Sequence, residues 1–429
     1  MIKVKRFYLV WLAALLCLLC LPGMVSVAGA AKKPVVVWFY TGNTTVAEWA
    51  EAFEKQFNAT NPDIELSFDL VDYASISEKI IIASASGVGP DISYLAANLI
   101  PEQIVRGLTY PLNAYLDRYP DKNDFIPDLF ASVTDEKGQI HAMPFAMWSI
   151  YDLYNMNVLA EAGVSPPQDW DSMIAAARKM TLVNADRTVA RYGYAAPQSG
   201  TFCLYNLQMH MEQLGRGFLY IGDTQVKLNN EIGITAANYI RDLWQAGIPD
   251  YNNDATLLAN SVIGKTAIQG YATYNLLDIS PADTAGLEPR RVVGPKPGQD
   301  IVRYNAGTLY ILPTSQHKDE AWRVIEAFLS PENHRSYIIA QVSYLPVRKS
   351  LLGIIGTMMT HPMVPKMAAT MYSPMTTYGP VHAYWVSIRN QGASIVLPAL
   401  QNKAGLQTAL EEAERTMNTL LAEKYGLIK

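Results

Sequence analysis

The sequence predicts an α/β protein built as two domains, and three observations carry that prediction. A buried apolar strand, an amphipathic helix and an alternating strand follow one another near the start, which is a β-α-β unit. The 429-residue chain leaves 399 residues once a thirty-residue leader is set aside, more than one hydrophobic core usually supports. Outside that leader Cys203 stands alone, so no intramolecular disulfide is available and stability has to come from buried apolar surface.

The leader itself has Lys3, Lys5 and Arg6, then an apolar run from Phe7 to Leu21, then Ala28-Gly29-Ala30. This is the layout of a cleaved export signal, and the mature chain is expected to begin near Ala31. The apolar run is shorter than the roughly 20 residues that span a bilayer, and Pro22 and Gly23 follow at once. Leu16 and Leu19 precede Cys17 and Cys20, where a lipid-modified signal has a small residue, so a free periplasmic protein is expected rather than a lipoprotein.

Pro34 to Tyr40 is a continuous β-branched and aromatic run, the pattern of a strand buried in a parallel sheet. Thr45 and Glu48 read as a capping box, and Val46, Trp49, Ala50, Phe53 and Phe57 recur at helical spacing before Asn61-Pro62. Ile64, Leu66, Phe68 and Leu70 alternate with polar residues, predicting a second strand. A helix over Ile76 to Ser86 leads to a third strand after Asp91. Trp148 to Tyr154 reads as a strand, Asn157 to Ala162 as a short helix, and Pro166 to Asp169 as the start of a helix reaching Met180. Further helices are expected at Glu231 to Ala246, His317 to Leu329 and Leu406 to Glu423. There is no internal repeat.

Charge narrows the function. The formal net charge of −5 becomes −8 when the three leader cations are removed, and no basic block remains, so nucleic acid and anionic membrane are poor partners. The six histidines show no metal-ligand spacing and no G-x-S-x-G elbow occurs, so neither a metal, a cofactor nor catalysis is expected. Ala259 to Thr266 matches a relaxed phosphate-loop pattern, but the stretch after Lys265 is too short for the required helix. A secreted glycosidase would need two flanking carboxylates, and nothing marks such a pair among the 39 acidic residues.

Five segments carry a family resemblance. Ser86 to Asp91 is similar to an S-G-x-x-P-D turn, and Met143 to Asn155 to a Y-x-P … L-x-Y-N-K stretch. Pro166 to Asp171 resembles P-P-x-T-W-x-E, Gly264 to Gly270 resembles G-K-x-A-M-x-x-G, and Tyr344 to Arg348 resembles G-x-L-P-x-R. In this order they resemble the family-1 extracellular solute-binding proteins of ABC importers, which include maltodextrin and other sugar binders. The resemblance implies a two-lobed periplasmic-binding-protein fold of type II, a ligand cleft between lobes and three crossings, placed at Gln139 to Ala146, Pro295 to Val302 and Gln341 to Pro346. Lobe 1 is then 31–140 with about 300–343, and lobe 2 about 141–299 with 344–429. A monomer delivering a sugar-like solute to an inner-membrane permease is implied; a glycerophosphoryl or polyol ligand, or a sensory role, are the alternatives.

Ligands of open α/β sheets sit beyond the carboxyl ends of strands, and those positions are aromatic here: Tyr40, Tyr73 and Tyr94, then Trp148 and Tyr151, then Tyr271 and Tyr274. Aromatic faces suit the apolar C–H faces of sugars, while amides and backbone groups suit their hydroxyls. The resemblance singles out Trp385 as a stacking residue and Asn305 to Gly307 as a segment whose backbone approaches ligand. Asn43, Asn98, Tyr344 and Arg389 complete the candidate set, with helix capping the alternative for Asn98. Where the maltodextrin binder carries a ring, an acid and an arginine after Pro-Asp-Ile, this chain has Ser93 to Leu99, which argues against maltose. Arg348, Arg389 or Lys265 would have to clamp an anionic ligand.

Overall fold

The structure is a computed structural model that describes residues 31–40, 44–248, 257–272, 280–371, 375–377 and 381–426; the expected export signal, 1–30, lies outside them. β1 (Lys33–Tyr40) runs parallel to β2 (Ile64–Val71) and β3 (Ile92–Ala96). The connection is α1 (Thr44–Thr60), which buries Val46, Trp49, Ala50, Phe53 and Phe57, the stripe its spacing predicts. Thr45 is not its cap. It lies inside the first turn, and its hydroxyl donates to the Ala340 carbonyl at 2.6 Å. α2 (Tyr73–Ala85) then returns the chain to β3.

The central element is β4 (Met143–Asn155), thirteen residues long and buried throughout. After it come α3 (Trp170–Met180), α4 (Gly200–Gln213), α5 (Glu231–Gly247), β5 (Ile268–Ala272) and β6 (Leu287–Arg290). Asp169 caps α3 with a reciprocal pair: its carboxylate accepts from the Ser172 amide at 2.8 Å while the Ser172 hydroxyl serves the Asp169 amide at 3.0 Å. β7 (Val302–Ile311) leads to α6 (Lys318–Leu329) and α7 (Pro331–Gln341), and β8 (Met375–Thr377), α8 (Trp385–Leu400) and α9 (Leu406–Lys424) close the chain.

β4 is shared. From Met143 to Ile150 it pairs antiparallel with β7, and from Tyr151 to Asn155 with β5 and β6. The sheet order is β2-β1-β3-β7-β4-β5, with β6 on β4 and β8 on β7. One core packs on β1 to β3, β7 and the helices up to Met371; a second gathers α3, α4, α5, α8 and α9. This is the two-lobed α/β arrangement, with lobes joined through continuous strands.

The lobe borders differ from those expected. Ala142, Met143, Phe145 and Ala146 pack in the first core, and the chain changes lobes further along β4, where Tyr151 and Leu153 face the first core and Ile150 and Tyr154 the second. A strand apolar on both faces carries its pairing onward past the Gly and Pro signals that suggested a crossing. The expected assignment of 344–429 to the second lobe also changes. Leu345, Val347 and Leu351 to Met371 belong to the first core, because Leu345 and Met147 exchange backbone hydrogen bonds of 2.7 and 2.9 Å. The last passage therefore falls between Met371 and Trp385.

Candidate functional site at the junction of the lobes

Strand register builds the site. β4 and β7 place Trp148 opposite Asn305. Asn305 turns its amide toward the end of β3, where Nδ2 donates to Asn98 Oδ1 at 2.9 Å, while Oδ1 accepts from the Ala306 amide at 2.9 Å. On its other side Trp148 stacks on Tyr344, ring centroids 5.2 Å apart and planes 27° apart. Four candidates from four distant stretches thus form one continuous group. They are 6, 7, 5 and 6 % exposed in the order Asn98, Trp148, Asn305 and Tyr344, so each is held by the fold yet retains a surface. The group carries neither a carboxylate nor a cation.

Asn98 is not a cap: the 3-10 turn Ala97–Leu99 is preceded by Ala96 and has no side-chain cap. Its partner is 207 residues away, which local sequence cannot reveal.

Other candidates belong to the interior. Trp385 is fully buried in the second core, where Nε1 donates to the Tyr205 hydroxyl at 3.1 Å and the ring packs on Phe218. The expected stacking role is therefore overturned, because α8 turns its first residue inward. Arg389, half-buried, donates to the same Tyr205 hydroxyl at 3.0 Å. Tyr151 is sealed in the first core, and burial pushes its phenol well above the ordinary value. Tyr40 packs on Tyr94 at 4.6 Å and shares a hydrogen bond of 3.1 Å with Tyr337. Gly307 lies within β7, where an added Cβ would come within 2.4 Å of the Tyr94 ring. It makes room for an aromatic side chain and not for ligand. Tyr73 opens α2 and Tyr271 lies in β5, but their side chains, and Asn43 and Tyr274 entirely, fall outside the described residues.

Arg348 is excluded as an anion clamp. It is 1 % exposed, bonds Asp124 at 3.0 Å, Asp121 at 3.2 Å, the Tyr119 hydroxyl at 2.7 Å and the Leu329 carbonyl at 2.8 Å, and lies over Phe125. Burial opposes ionisation of Asp124, but Ser350 and Arg348 outweigh it and hold the carboxyl below its usual range. Lys265 is followed by β5, not by a phosphate-cradling helix.

Two features went unread in the sequence. Arg303, buried within β7, pairs with Glu212 of α4 at 2.9 Å and so ties the shared strand to the second lobe. A charge inside the apolar run Val302–Ile311 was the available signal. A groove of about 300 Å³ also runs along the lip between lobes, with Pro101, Ile104 and Val105 on one side and Ile221, Tyr384 and Tyr425 on the other. Only folding brings these together. Among the described residues no helix is long and apolar enough to cross a membrane, and no three His, Cys, Asp or Glu side chains are grouped to hold a metal.

The profile of the bacterial extracellular solute-binding protein family matches residues 41–335. The chain belongs to that family. The proteins it resembles include a binding protein of Brucella abortus, 23% identical over 350 residues that cover 79% of this chain and 82% of that one. Among solved structures, the cyclic α-maltosyl-1,6-maltose binding protein of Arthrobacter globiformis superposes with a TM-score of 0.75 at 22% identity, covering 91% of this chain and all of that one. An ABC transporter solute-binding protein of Thermotoga lettingae bound with α-D-tagatose gives 0.73 at 17% identity, over 91% of this chain and 100% of that one. The solute-binding family and the two-lobed fold agree on a substrate-binding role.

Proposed function

We propose that this protein captures a neutral saccharide or polyol between its lobes in the periplasm, as a monomer, and passes it unaltered to the membrane permease of an ABC importer. The observation that carries the reading is the uncharged group of Asn98, Asn305, Trp148 and Tyr344 at the lobe junction. It offers a ring face and two amides, the chemistry that suits a sugar's C–H face and hydroxyls. The relatives named above bind a ketohexose in one case and a cyclic maltosyl-maltose in the other, so this fold accommodates saccharides of different size. A glycerophosphoryl ligand loses one of its three candidate clamps, because Arg348 is committed inside the first lobe.

The test is thermal shift and titration calorimetry of the purified protein against monosaccharides, oligosaccharides, polyols and glycerophosphodiesters, with the solutes recovered and chromatographed. Saturable binding of a neutral solute recovered intact is expected. Hydrolysed product, or binding confined to the phosphodiesters, would overturn the reading.

A further inference from the structure

The turn that ends α7 is one its residue types do not favour. Val342 has φ 56° and ψ −42°, a region where a β-branched residue is an outlier. The Ser343 amide donates to the Gln341 carbonyl at 2.5 Å, closing a three-residue γ-turn of the strained kind. At ten other described positions of positive φ the chain places glycine, and the two remaining exceptions, Arg187 and Asn402, lie in exposed turns. Here, in a poorly exposed segment, it keeps valine.

Two polar side chains flank the turn. Gln341 and Ser343 are only 6 and 1 % exposed, yet Gln341 Oε1 and Ser343 Oγ have no hydrogen-bond partner among the described residues. Such groups cost free energy unless another state satisfies them. Their position is also informative. The next residue is Tyr344, stacked on Trp148, while Tyr337 and Ala340 of the same helix bond Tyr40 at the end of β1 and Thr45 in the first turn of α1. Strain and unpaired polar atoms thus meet between the end of the first strand and the aromatic stack.

We infer that the Gln341–Ser343 turn is a backbone switch driven by a polyhydroxylated ligand. On capture Val342 relaxes to negative φ, a ligand hydroxyl donates to Gln341 Oε1, and the Ser343 hydroxyl bonds a second ligand oxygen. The inference rests on the reading of the lobe junction as a saccharide or polyol site. Only a difference between the two states can contribute to affinity, and release of strain at Val342 is such a difference.

The test begins from a saccharide or polyol that binds the parent protein in calorimetry. Glycine takes either sign of φ without steric cost. Val342→Gly is therefore expected to raise the melting temperature without ligand and to weaken binding about tenfold. Ser343→Ala is expected to leave the ligand-free melting temperature unchanged or higher while weakening binding. Val342→Gly with parental affinity would overturn the switch, since the turn then has the same geometry in both states. Ser343→Ala that lowers the melting temperature and leaves affinity intact would do the same, assigning the hydroxyl to the fold. Absence of binding to the parent across the whole panel would overturn the saccharide reading itself, and the switch with it.

Discussion

Trp148 and Trp385 carry the same indole and occupy opposite situations. Trp148 keeps a face at the lobe junction against Tyr344, whereas Trp385 is fully enclosed with its Nε1 bonded to Tyr205. Their truncations should separate accordingly. Trp148→Ala is expected to weaken saccharide binding by roughly tenfold, from lost stacking and apolar contact, with a cooperative melt retained. Trp385→Ala is expected to cost about 3–5 kcal/mol of stability by opening a cavity. Calorimetry and denaturant melts read the two effects, and an unchanged dissociation constant for Trp148→Ala would place the ligand elsewhere. The aromatic residues at strand ends were legible from the sequence. Which of them keep an exposed edge was not, because Tyr151 and Trp385 are enclosed by residues distant in the chain.

Helices show where local signals suffice. The α1 stripe and the Asp169 cap depend on residues within a few positions of one another and could be read directly. The interior of α4 could not. His210 is sealed there by Trp170 and Tyr239, and its Nδ1 donates to Gln213 at 2.8 Å, whose amide nitrogen reaches the Val292 and Val293 carbonyls. Burial, aided by the Arg303 charge, lowers its pKa to about 4. In the unfolded chain an imidazole takes its proton near pH 6.5. Below that value the unfolded state binds more protons, so stability present above pH 6.5 is lost as pH falls toward about 4. Melts at pH 7.5 and 4.5 should show a smaller acid-induced drop for His210→Gln than for the parent. An equal drop would mean the imidazole is not held neutral by α4. His334 of α7, lowered to about 3, should leave part of the drop in place.

At the scale of the whole molecule, the lobes share β4, and β7 enters the first core directly after Ile301 of the second, so relative motion has to be absorbed where the chain passes from one core to the other. A ligand touching both lobes favours the closed arrangement only through contacts better made there. Small-angle scattering is expected to show a smaller radius of gyration with saturating saccharide than without. An unchanged radius would place the whole binding surface on one lobe. The buried Arg303–Glu212 pair joins β7 to α4 and stiffens this junction. A lone removal of Glu212 would take this carboxylate partner from a buried guanidinium.

The sequence by itself determined the α/β class, the positions of α1, α3, α5, α6 and α9, though not of α4, α7 or α8, and the family, because hydrophobic period, capping and turn chemistry act over a few residues. It also placed Asn98, Trp148, Asn305 and Tyr344 in the candidate set. Only the tertiary structure decided that these four come together, that Gly307 serves the Tyr94 ring, that Arg348 is a structural clamp and that residues 344–371 complete the first lobe. The physical reason is the same in each case. Strand register and core packing join segments 207 and even 297 residues apart, and no local pattern encodes which side chain meets which.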